Sequence, residues 1–168
     1  MEFPFRKLPN RQNVRQATDF VPEADMSKVE ACVVCFRKMS EVHQALAANL
    51  SRFGLSFARL GILAMLLSGG DAGMTPSGLA DEGGITRATV TGLLDGLEKD
   101  GLVERIKHPD DRRVLYVHLT KKGRDLVAAA RPTHLKRVAS LLGSLTEPEL
   151  QQLMALMDKI GAGSPPTA

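Results

Sequence analysis

Residues 75–84 read TPSGLADEGG, residues 85–105 ITRATVTGLLDGLEKDGLVER, and residues 106–120 IKHPDDRRVLYVHLT. Thr75 is placed to cap a short helix whose first residue is Pro76, and Leu79 and Ala80 form its inward side. Gly83-Gly84 supplies the tight turn, where left-handed backbone angles are needed. Thr86 caps a second helix with a buried stripe of Val90, Leu93, Leu94 and Leu97, and Gly101 ends it. Leu102 to Ile106 and Val114 to Leu119 then read as two strands. In the second, Leu115, Val117 and Leu119 alternate with Tyr116 and His118. Helix, glycine turn, helix and hairpin is the layout of a winged helix-turn-helix, which lays its second helix in the major groove of duplex DNA. The spacing predicts a mostly α (α+β) fold with a two-stranded wing.

The polar residues of this stretch suit that task. Thr86, Arg87, Thr89 and Thr91 stand on the exposed start of the second helix, with Ser77 on the helix before it. A helix N-terminus favours phosphate, and a guanidinium can bond guanine at two points, so Arg87 is the expected base reader. Lys107, Arg112 and Arg113 flank the hairpin tip, where arginines on a narrow protrusion suit the minor groove. One of the two arginines is expected to pair with Asp110 or Asp111 instead and stiffen the loop. The bland alternative is an amphipathic helix with a merely solvated face, or a winged domain serving as a protein-interaction module.

Long helices are predicted on either side. Ser27 and Glu30 match a capping box. Val29, Cys32, Val33, Phe36, Ser40, His43, Ala47 and Leu50 follow on one face, up to the stop at Gly54. Ser56 caps a helix through Leu60, Leu63 and Leu67 that ends at Gly69-Gly70. Thr120 caps another from Lys121 to about Leu142, with Pro132 expected to kink or break it. Thr146 and Glu149 form a second capping box before Leu150, Leu153, Met154, Met157 and Ile160. Helices this long in a small domain call for a partner helix. The expected organisation is a basic N-terminal arm over 1–25, dimerisation helices over 26–54 and 120–160, the winged module over 55–119, and a disordered tail over 161–168. The arm reads either as a mobile tail or as a segment that wraps a partner subunit or touches phosphates.

Composition narrows the class. At 168 residues the chain fits one domain with dimerisation extensions; it has no Trp and one Tyr, so its core must be aliphatic. The net charge is only +3, so placement of the basic residues carries the nucleic-acid reading rather than their sum. No apolar run is long enough to span a bilayer, no signal peptide is read at the N-terminus, and the cytoplasm is the expected location. No glycine-rich phosphate loop, nucleophile elbow or metal-ligand cluster is present, and Asp110-Asp111 beside arginines on an exposed loop is a poor acid–base pair. No enzyme activity, cofactor or metal is expected. Cys32-x-x-Cys35 has no second pair, and His43, His108, His118 and His134 lack ligand spacing.

The segment GLVERIKHPDDRRVLYVHLTKKG, preceded by TRATVTGLLDGLEKD, resembles the MarR family of bacterial transcriptional regulators. Its wing signature matches Asp111-x-Arg113-x-x-x-Val117-x-Leu119-Thr120. The resemblance covers residues 27 to 160. It implies a homodimer joined by its first and last helices, binding a pseudo-palindromic double-stranded operator, commonly near its own gene, and usually repressing. It also implies release by a small phenolic or aromatic effector held between the dimerisation helices and the DNA-binding lobe, where Phe36, His43, Phe57, Arg59 and Leu60 lie by position. The alternative trigger is oxidation at Cys32 or Cys35, which otherwise read as small buried hydrophobes. The organic-hydroperoxide-sensing branch of the family surrounds its thiol with tyrosines. This chain has Leu46, Phe57 and Leu60 there, and these cannot form a phenolic hydrogen-bond network.

Overall fold

The computed structural model describes residues 25–107 and 115–160. In chain order these form α1 (Met26–Ser51), α2 (Phe57–Ser68), a single 3-10 turn (Gly70–Ala72), α3 (Pro76–Gly83), α4 (Arg87–Lys99), β1 (Val103–Lys107), β2 (Leu115–Leu119), α5 (Lys121–Leu141) and α6 (Glu147–Met157). The mostly helical architecture with a two-stranded antiparallel wing expected from the sequence is the one found. The N-terminal arm, the C-terminal tail, and the tip with Asp110, Asp111, Arg112 and Arg113 lie outside the described residues.

The core gathers buried side chains from α2, α3, α4, the wing and the first half of α5. Ile62, Leu63 and Leu66 of α2 meet Leu79 of α3, Val90, Leu94 and Leu97 of α4, Val103 and Val117 of the wing, and Val127 and Ala130 of α5. Burying one such aliphatic side chain contributes about 1.5–3 kcal/mol, whereas an exposed ion pair contributes about 0–1 kcal/mol. Aliphatic packing therefore holds the lobe, and the surface charges orient its parts. Leu93 lies at the half-buried edge of the α4 stripe.

The caps follow the sequence closely. The hydroxyls of Ser56, Thr75, Thr86 and Thr120 accept from the amides of Arg59, Gly78, Thr89 and Gly123. Glu149 accepts from both the amide and the hydroxyl of Thr146 at 2.8 Å, which holds its carboxyl below the ordinary range. Gly84 closes α3 in the left-handed region at φ +59°, where a side chain would be strained.

The start of α1 differs from expectation. Its cap is Asp25, not Ser27. The Asp25 carboxylate gathers the Ser27 hydroxyl at 2.6 Å, the Lys28 amide and the Lys28 ammonium, and the Ser27 bond first, then Lys28, drives its pKa far down. An ionised acceptor outcompetes a hydroxyl for the free amides, so Ser27 falls inside the first turn. The expected stripe of α1 is also largely uncovered in one subunit: Leu50 is buried, while Val29 and Phe36 are exposed. Cys32 and Cys35 are exposed free thiols, which corrects their reading as buried hydrophobes.

Pro132 does not break α5, which runs continuously from Lys121 to Leu141. The proline sits where burial ends. Gly123, Val127 and Ala130 before it are buried, whereas Leu135, Val138 and Leu142 after it are exposed. Pro132 itself is exposed, and the Thr133 hydroxyl beside it bonds back to the Ala129 carbonyl at 3.2 Å. Smaller shifts occur at strand and helix ends. β1 begins at Val103, one residue later than expected, and Ile160 lies past the end of α6.

The wing pairs Val103 with Leu119 through Lys107 with Leu115. Met74 adds a bridge to Val117, with bonds of 3.1 and 2.8 Å, that the sequence pattern did not announce. Gly73 beside it has no room for a side chain, because a Cβ would lie 2.5 Å from the His118 ring. At the other end of β2 the start of α5 lies on the Leu102 carbonyl, which a Cβ on Gly123 would meet at 2.0 Å.

Candidate nucleic-acid interface

α4 presents the surface that the sequence singled out. Its buried stripe is on one side, and Thr86, Arg87, Thr89 and Thr91 are exposed at its start. The three threonine hydroxyls serve the helix itself. Thr86 and Thr89 lie 2.8 Å apart, and Thr91 donates to the Arg87 carbonyl at 3.0 Å. Arg87 differs: its guanidinium makes no ion pair or hydrogen bond with any described residue. Lys107, exposed at the end of β1, is likewise unpaired among them. Arg87 thus stands with open donors at the N-terminus of α4, where the helix dipole already favours an anion, and Lys107 is exposed on the wing. Ser77 is half-buried, and its hydroxyl lies 3.1 Å from that of Thr75, so it serves the α3 cap.

Arginines elsewhere on the lobe are committed. Arg105 of β1 places Nη2 2.6 Å from Asp95 and Nη1 3.1 Å from Glu98, both on α4. Arg59 of α2 pairs with Asp100 at the end of α4, and its hydrogen bond is the first cause holding the Asp100 carboxyl below its ordinary value. Sequence reasoning missed both arrangements, because the partners lie 10 and 41 residues away.

The five effector positions are partly dispersed. Phe57 stacks on His43 at 5.0 Å between ring centres and meets His134 edge-on at 5.8 Å. Those three rings join α1, α2 and α5. His134, which the sequence did not single out for this role, has its Nδ1 buried without a hydrogen-bond partner. Arg59 turns instead toward Asp100, Leu60 packs against the core, and Phe36 is exposed on α1.

Comparison with known proteins fits this architecture. The model of the MarR family matches residues 53–114. The HTH-type transcriptional regulator YcgE of Bacillus subtilis is 33% identical over 136 residues, which span 77% of this chain and 84% of YcgE. The chain belongs to the MarR family. The HTH-type transcriptional repressor YetL of Bacillus subtilis is 25% identical over 152 residues, 90% of this chain and 91% of YetL. Among solved structures, the MepR–DNA complex of S. aureus superposes with a TM-score of 0.64 at 28% identity, covering 75% of this chain and 93% of MepR. As a MarR-family protein the chain is a transcriptional regulator, not an enzyme. Among its described residues no helix is long and apolar enough to cross a membrane.

Proposed function

We propose that this MarR-family chain is a homodimeric, sequence-specific repressor that binds a pseudo-palindromic operator in the cytoplasm. The observation that carries the reading is Arg87. It is exposed at the N-terminus of α4 and unpaired among the described residues, while Arg59 and Arg105 are tied to acids. A base-reading arginine must keep its donors free until DNA arrives. MepR, similar in sequence and fold, is solved as a complex with DNA, which supports the same use of the lobe here. In this reading residues 55–119 hold the DNA, and residues 26–54 and 120–160 join the two subunits. The apolar residues left open on α1, α5 and α6 support that assignment. The effector is a small aromatic molecule, and His43, Phe57 and His134 are the rings that receive it.

Fluorescence-anisotropy titration tests the proposal. The duplex flanking the protein's own gene is compared with a scrambled duplex at near-physiological salt. The native duplex should be strongly preferred, and Arg87→Ala should reduce its affinity by about 1–3 kcal/mol and relax the preference. Equal weak binding to both would reduce the interaction to backbone electrostatics and contradict the proposal.

A further inference from the structure

The second half of α4 carries charges that neither a helix nor a DNA ligand wants there. Asp95, Glu98 and Asp100 cluster toward the helix C-terminus, where the dipole disfavours acids and where carboxylates would repel phosphate. Asp95 and Glu98 are both answered by the single guanidinium of Arg105, at 2.6 and 3.1 Å. The strand register explains how. Arg105 lies opposite Val117, whose side chain is fully buried, so Arg105 leaves the wing on its inward face, toward α4. Its side chain is 25% exposed, and two of its nitrogens are engaged. A planar fork can hold two carboxylates one helical turn apart, and an ammonium holds them less well.

We propose that Arg105 is a positioning residue for DNA recognition. It clamps β1 to Asp95 and Glu98 and sets the wing at a fixed distance from α4. It does not itself touch DNA. The proposal rests on the DNA-binding reading above. Surface ion pairs add little to stability, so its effect belongs in the DNA complex rather than in the melting temperature.

The test is a double-mutant cycle read by DNA affinity as a function of salt, with a duplex that the parental protein selects from a randomised pool. Arg105→Met should weaken binding about tenfold in the parental background and leave the salt slope and melting temperature nearly unchanged. In an Asp95→Asn, Glu98→Gln background the same change should cost much less, because the clamp is already gone. Arg105→Lys should fall between parent and Arg105→Met. A direct phosphate contact would instead cost the same in both backgrounds and lower the salt slope by about one, which overturns the proposal. Unchanged affinity in Arg105→Met overturns it as well. If the parental protein selects no duplex at all, the DNA-binding reading fails first and the proposal falls with it.

Discussion

Near the reading helix, burial and partners separate arginines that look alike in the sequence. Among the described residues Arg87 is exposed and unpaired, Arg105 is forked between Asp95 and Glu98, and Arg59 is tied to Asp100. Arg87 was legible because helical periodicity alone places it at the exposed start of α4. Arg59 was not, because the carboxylate that claims it comes from another element, and position had suggested a ligand pocket instead. The Arg59–Asp100 pair has a pH consequence. Its hydrogen bond holds the folded-state Asp100 carboxyl below the ordinary 3.8, so the pair stabilises the fold above that value and the effect is lost as pH falls through the folded pKa. Asp100→Asn should therefore be only slightly less stable than the parent at neutral pH, as suits an exposed pair, with the small difference closing under acid conditions. Urea unfolding across that pH range measures it, and a difference independent of pH would contradict the assignment.

At the scale of elements, start signals were legible because they are local. Ser56, Thr75, Thr86, Thr120 and Thr146 each begin the helix that follows them. Ser27 misled because a stronger acceptor, Asp25, stood two residues earlier. The bridge from Met74 to Val117 and the seat of Gly123 on Leu102 depend on contacts distant in sequence, which no local pattern encodes. Gly123→Ala would drive a methyl into the Leu102 carbonyl, an acceptor for the Thr120 amide. It should destabilise the lobe by about 3 kcal/mol in urea unfolding, and a neutral result would mean that the wing–α5 junction yields freely. Pro132 predicts the opposite sign. It is exposed inside a continuous helix, so Pro132→Ala should raise stability by up to about 3 kcal/mol. A lowered melting temperature would show that α5 needs the proline.

At the scale of the whole molecule, the described residues leave apolar faces open on three helices. Leu153, Met154, Leu156 and Met157 on α6 are exposed, as are Phe36, Met39 and Val42 on α1 and Leu135 and Val138 on α5. Apolar area this extensive points to a partner surface, and a second copy completes it in the proposed dimer. Met154→Glu should weaken dimerisation by about tenfold or more in sedimentation velocity and weaken DNA binding in step. Dimers that persist unchanged would place the interface elsewhere. Hydroxyl-radical footprinting of the DNA flanking the protein's own gene tests the proposed dimer and its reading helix together. Two protected blocks are expected on a pseudo-palindrome, centred about 10 base pairs apart and lost together in Arg87→Ala. Protection spread evenly along the duplex, or a single block insensitive to Arg87, would contradict the proposal.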